Sequence, residues 1–152
     1  MLIGTTTEGH PAGDKITVAD SGNAGITIRS GTTSNGALYF SDGTSGAAEY
    51  RGGVVYHHDG NYLRFYTNGT ERFRIDAAGQ VLPGTDDSQN LGSSSMRWAN
   101  IYAADMHFSN KGKTNDVDGT WGDWTLQEGE DSVYMINNRT GKKYAITMKE
   151  VN

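Results

Sequence analysis

The sequence predicts an all-β protein of short strands closed by glycine turns, in which several chains share one core. Three observations carry this. From Asp14 to Gly79, runs of β-branched and aromatic residues recur, each closed by a small polar residue followed by Gly. Runs closed by Asn-Gly or Asp-Gly are the strongest short-range hairpin signal. No stretch predicts a long helix. Only 35% of the chain is hydrophobic while 21 residues are Gly, so a lone copy would bury too little apolar surface to offset its ordering entropy.

The elements follow in order. Ile16-Thr17-Val18 runs into Asp20-Ser21-Gly22, Ile26 to Arg29 into Ser30-Gly31, and Leu38-Tyr39-Phe40 into Ser41-Asp42-Gly43. Val54 to His57 then runs into Asp59-Gly60, Tyr62 to Tyr66 into Asn68-Gly69, and Arg72 to Ile75 into Ala78-Gly79. The spacing is irregular, so this is not a strict solenoid. Alternation places Leu63 and Phe65 on one face and Tyr62, Arg64 and Tyr66 on the other. It likewise points Phe73 and Ile75 inward with Arg72 and Arg74 outward. Around Asn68-Gly69 the two apolar faces can join in one hairpin, but a lone hairpin is marginal in water. The same faces of neighbouring chains would complete its packing.

Gln80 to Asp105 reads as a structural junction. Pro83-Gly84 stops the strand end at Val81-Leu82, since Pro83 has no N–H to donate. The Ser93-Ser94-Ser95 run can cap a short helical turn carrying Trp98, Ile101 and Tyr102 on one side. Residues 110–122 hold almost no apolar side chain and read as a long loop. The last thirty residues read as a small antiparallel sheet: Trp124 to Leu126, Val133 to Ile136 and Lys143 to Lys149. The third of these turns Tyr144, Ile146 and Met148 inward.

Composition excludes several functions. The net charge is −5 and no basic block occurs, which argues against nucleic acid or an anionic membrane as partner. Without cysteine, neither disulfides nor thiolate metal sites are available. No apolar run nears the roughly 18 residues of a membrane helix, and Met1-Leu2-Ile3-Gly4 is not a signal peptide. A soluble oligomer with no cofactor and no membrane insertion is the expectation.

The run YLRFYTNGTERFRIDAAG from Tyr62 to Gly79, then Leu82-Pro83-Gly84-Thr85-Asp86, Asn90 to Ser94, Arg97-Trp98 and Ile101-Tyr102-Ala103, resembles the distal part of tailed-bacteriophage tail fibres and tailspikes. The similarity covers roughly Ile16 to Tyr102, and the Gly-Lys-Lys-Tyr ending is also similar to phage fibre C-termini. The resemblance implies an elongated, intertwined homotrimeric β fibre on the virion, with a shaft over 1–79, a junction over 80–110 and a small β-sheet tip over 111–152. It implies attachment to a host-surface polysaccharide or outer-surface protein, or the shaft that carries an attachment tip, beside other virion tail proteins. Such fibres often continue into a self-cleaving intramolecular chaperone. Nothing resembling that module follows Val151, and the opening residues read as an interior fibre stretch, so a processed or truncated form is one expectation and a fibre without the module the other.

Each candidate residue has a plain reading beside the functional one. Trp121, Trp124 and Tyr134, with Asn137 and Asn138 nearby, combine aromatic faces with polar groups suited to sugar hydroxyls; the plain reading makes the rings the tip's own core. Leu63, Phe65, Phe73, Ile75, Trp98, Ile101 and Tyr102 are the expected trimer core. His57 and His58 point to opposite faces of a strand and cannot jointly chelate one ion; a single inward His, whether His57, His58 or His107, would become three ligands on a threefold axis, against the plain reading of a surface His beside a turn. Asn115 to Gly119 lacks the further oxygen ligands and the glutamate of a calcium loop. None of the 18 acidic residues is singled out as a glycosidase pair, and no catalytic activity is expected. The outward arginines, Arg51 among them, read as inter-chain salt-bridge partners. A purely structural alternative makes the terminal sheet a device that registers the chains, and a fragment of a glycan-depolymerising tailspike comes third.

Overall fold

A computed structural model describes residues 2–3 and 16–151. The chain divides into two compact units, Met1–Leu91 and Gly92–Asn152, each built on one antiparallel sheet. The described residues contain no α-helix; a single 3-10 turn spans Gly46–Tyr50. The protein is all-β, as the sequence predicts.

The first unit begins with a short parallel pair, β1 (Leu2–Ile3) and β2 (Thr17–Val18). Its main sheet is a meander of β3 (Asn35–Phe40), β4 (Gly52–His57), β5 (Tyr62–Thr67), β6 (Thr70–Ile75) and β7 (Val81–Pro83). Each strand pairs with its sequence neighbour because the connections are short. Asn68 and Gly69 form the two-residue hairpin turn, with φ of 53° and 67°, the double positive φ that a type I′ turn requires. Asp76 Oδ1 accepts from the N–H groups of Ala78 and Gln80, which shapes the turn into β7. Pro83 stands on the outermost strand, where the missing N–H leaves no inner ladder bond unmade.

A β-bulge aligns the hairpin. Thr67 pairs with Thr70 and Tyr66 with Glu71, yet Phe65 pairs with Phe73, so Arg72 is the extra residue. Without that shift Phe73 would stand opposite Arg64. With it the Phe65 and Phe73 rings stack at 4.3 Å and 11°. The ladder gives this sheet two different faces. One carries Leu38, Phe40, Val54, Tyr56, Leu63, Phe65, Phe73, Ile75 and Val81, with no charged side chain among its register-paired positions; the unpaired bulge residue Arg72 is held at its hairpin end by the Thr67 hydroxyl. The other carries Val55, His57, Tyr62, Arg64, Tyr66, Glu71 and Arg74.

In the second unit the sheet order is β11–β10–β9–β8, built from β8 (Asp105–Ser109), β9 (Asp123–Glu128), β10 (Val133–Asn137) and β11 (Lys143–Ala145). The segment between β8 and β9 is the expected loop. Its ends are tied where Gly122 N donates to Asn110 Oδ1 at 2.6 Å and Asn110 N to Gly122 O at 3.3 Å. One face of this sheet holds Met106, Phe108, Trp124, Leu126, Met135 and Tyr144.

Four expectations are corrected. Ile26 to Arg29 forms no strand, because β propensity makes a strand only where a ladder partner is present. The Ser93 turn is not helical: Ser93 N donates to Met96 O at 2.8 Å, the reverse of the helical direction, so the bond closes a turn instead of propagating one. The last strand ends at Ala145 instead of Lys149, with Tyr144, Ile146 and Met148 exposed. The 80–110 stretch contributes β7 to one sheet and β8 to the other, with residues 84–104 between them.

Candidate functional site

The β8–β9 hairpin holds the more informative of two surface grooves. Antiparallel pairing sets Phe108 opposite Trp124, placing two aromatic side chains side by side on one face. Asn110 follows β8 and Gly122 precedes β9, so their 2.6 Å bond closes the strand ends over the long loop. The loop is organised by Asn115, whose Oδ1 accepts from Val117 N and Asp118 N while its Nδ2 donates to Asp118 Oδ1 and Thr120 O. Between these elements lies an open groove of about 520 Å³ lined by His107, Phe108, Ser109, Asn110, Asn115, Gly122 and Trp124. A Cβ on Gly122 would stand 3.0 Å from Trp124 Nε1, so a side chain there would push the indole aside by a few tenths of an ångström.

A polar chain runs beside the groove. Thr125 is buried, 4% exposed, and its Oγ1 lies 3.0 Å from His107 Nδ1. Asn138 Nδ2 donates to Thr125 Oγ1 at 3.0 Å and to Asp123 Oδ1 at 2.8 Å. A buried hydroxyl must be bonded, and this one joins β8, β9 and the β10–β11 turn. The backbone N–H of Thr120, followed by the Asn115 amide and the Thr120 hydroxyl, holds the Asp118 carboxyl below the usual carboxylate range. Its oxygens therefore serve the loop.

The five predicted ligand residues do not converge. Trp124 and Asn137 are direct register partners, and the Trp124 ring packs against Tyr144 at 5.7 Å. Tyr134 pairs with Gln127 and Ala145, one residue out of step with Trp124, and so lies on the opposite face. Asn137 Oδ1 accepts from Arg139 N and Thr140 N, which shapes a turn. Asn138 is engaged by Thr125 and Asp123. Trp121 is covered by the Arg139 guanidinium 3.9 Å above its ring. Of the five, only Trp124 lines the groove; Phe108, Asn110 and Gly122 were missed. The signal for Phe108 was in the sequence, because Met106 and Phe108 alternate with Asp105, His107 and Ser109.

Leu63, Phe65, Phe73 and Ile75 stand together on the uncharged face of the first unit. Trp98, Ile101 and Tyr102 are 62%, 62% and 94% exposed, outside any strand. A second groove, of about 410 Å³, lies on that uncharged face between Ile26 and Ile28 and the side chains of Leu38, Val54 and Leu63. The arginines find partners within the chain. Arg51 reaches Asp42 at 3.2 Å, Arg74 reaches Glu71 at 2.6 Å, and Arg72 donates to Thr67 Oγ1 at 2.8 Å. The Arg64 guanidinium lies 5.3 Å from both the Tyr62 and Tyr66 ring centres, and burial pushes the Tyr66 hydroxyl pKa up. His57 stacks on Tyr62 at 4.8 Å and His58 meets Tyr56 edge-on. Among the described residues no three His, Asp or Glu side chains are grouped to hold a metal ion.

Comparison with family models, with curated proteins and with solved structures returned no match to this chain.

Proposed function

We propose that the protein is a segment of a tailed-bacteriophage tail fibre, assembled as a homotrimer on the virion and contributing to attachment to the host surface. The observation that carries this is how little one copy buries. Among the described residues only Gly53, Val55 and Thr125 are buried, while Leu38, Phe40, Tyr56, Phe73 and Val81 stay exposed on one uncharged sheet face. A contiguous exposed apolar face marks an interaction surface. Copies of the same chain suit it, because two such faces meet with their one guanidinium, Arg72, already bonded to Thr67 at the hairpin end.

In this reading the uncharged face of the first unit forms the interior of an intertwined trimeric shaft, and the second unit forms the tip. The tip engages a host polysaccharide or outer-surface protein, and the shaft connects to other tail proteins. No catalysis is involved. Three weak sites on one fibre, and several fibres on one virion, raise the overall affinity without any new contact. The second reading, a tip that only registers the three chains, is favoured by the Trp124–Tyr144 packing on a face that adjoining copies could cover.

Light scattering on the purified full-length chain tests the proposal. A mass three times the chain's 16.4 kDa is expected. A compact monomer whose mass does not change with concentration overturns it.

A further inference from the structure

We propose that the groove at the β8–β9 hairpin binds a neutral saccharide. This rests on the attachment reading and names the ligand class for the tip. Phe108, 47% exposed, and Trp124 supply adjoining aromatic side chains on one face. The indole lies close over the backbone where Gly122 has no side chain. Asn110 is half committed: its Oδ1 accepts from Gly122 N at 2.6 Å, and its Nδ2 has no partner among the described residues. The groove therefore joins an apolar wall to an oriented donor.

The lining selects among ligands. It contains no Asp, Glu, Lys or Arg, so an anionic sugar or a charged peptide would lose its hydration without gaining a counter-charge. A wholly apolar ligand would leave the Asn110 amide unmet. A pyranose fits both demands, since its C–H face packs on an aromatic ring and its hydroxyls accept from an amide. The volume of about 520 Å³ lies within the roughly 300–1,000 Å³ of small-ligand sites.

The test is an NMR titration of the ¹⁵N-labelled full-length chain with D-glucose, D-galactose, D-mannose, L-rhamnose and N-acetyl-D-glucosamine, with D-glucuronic acid as the charged probe. The Trp124 indole and Asn110 side-chain signals are read, in the native chain and in Phe108→Leu and Asn110→Asp. Phe108→Leu removes the ring but keeps an apolar side chain. Asn110→Asp keeps the acceptor for Gly122 N and removes the donor. The expected result is a saturable shift of both signals with at least one neutral sugar, and an affinity about 2- to 10-fold lower in each variant, the range for losing one aromatic or hydrogen-bonding contact. The proposal is overturned if no neutral sugar gives a saturable shift, if both variants bind at full affinity, or if glucuronic acid binds as tightly as the neutral sugars. A trimer without sugar shifts sinks this site and leaves the fibre reading standing. A monomer with sugar shifts does the reverse.

Discussion

Replacing Leu38 by aspartate separates a shared core from a free surface. Leu38 sits in the row Leu38–Val54–Phe65–Phe73 across four strands and is 55% exposed in one copy. In a monomer the change falls on a solvent-facing strand position and costs about 1 kcal/mol or less. If copies cover this face, the exposed half of the side chain contributes about 1–1.5 kcal/mol per chain, from roughly 2–3 kcal/mol for burying a whole leucine. Over three chains that is about 3–5 kcal/mol, and each buried carboxylate adds a penalty of several kcal/mol more. Leu38→Asp should therefore lower the mass in light scattering from trimer to monomer, or to aggregate, at micromolar concentration. Leu82→Asp is the control, because Leu82 pairs with Arg74 on the charged face and should leave the mass unchanged. A Leu38→Asp chain that keeps the native mass would refute the shared-core argument.

Gly69→Ala places a Cβ at φ of 67°, and left-handed backbone costs an L-residue about 1–2 kcal/mol, to be read as a lower urea midpoint at unchanged m-value. Thr125→Val keeps the shape of a buried side chain but strips His107 Nδ1 and Asn138 of their shared hydroxyl. A loss of about 1–3 kcal/mol is expected, and an unchanged midpoint would show that water replaces the hydroxyl. Asp118 has a folded pKa below its unfolded value, so its contribution is present above the unfolded carboxylate range and is lost as pH falls through the lower folded value. A loss of Thr120 amide protection, relative to the intrinsic exchange rate at each pH, should appear over that acid window and be absent in Asp118→Asn.

Much of the first unit was legible in the sequence because its signals are local. Asn68-Gly69 specifies a turn, and the alternations Leu63-Phe65 and Phe73-Ile75 specify which faces must meet. Those two facts even require the bulge at Arg72: a two-residue turn that pairs Thr67 with Thr70 sets Phe73 against Arg64 unless one residue is skipped. The bulge also brings Arg74 to the side of Glu71 and Arg64, which is why these arginines pair within the chain. The site was less legible. Asp105 to Ser109 alternates as a strand should, but reading Ile101 and Tyr102 on a helical spacing hid it.

The amino-acid order by itself determined the strand class, the turn at Asn68-Gly69 and the low apolar content, because alternation, turn chemistry and composition are properties of the chain read locally. Tertiary structure alone decided that Ile26 to Arg29 stays outside the ladder, that Trp121 is spent on Arg139, and that Phe108 and Asn110 join Trp124 around one groove. Those outcomes depend on which backbone finds a hydrogen-bonding partner and on residues brought together across a long loop, neither of which local spacing encodes.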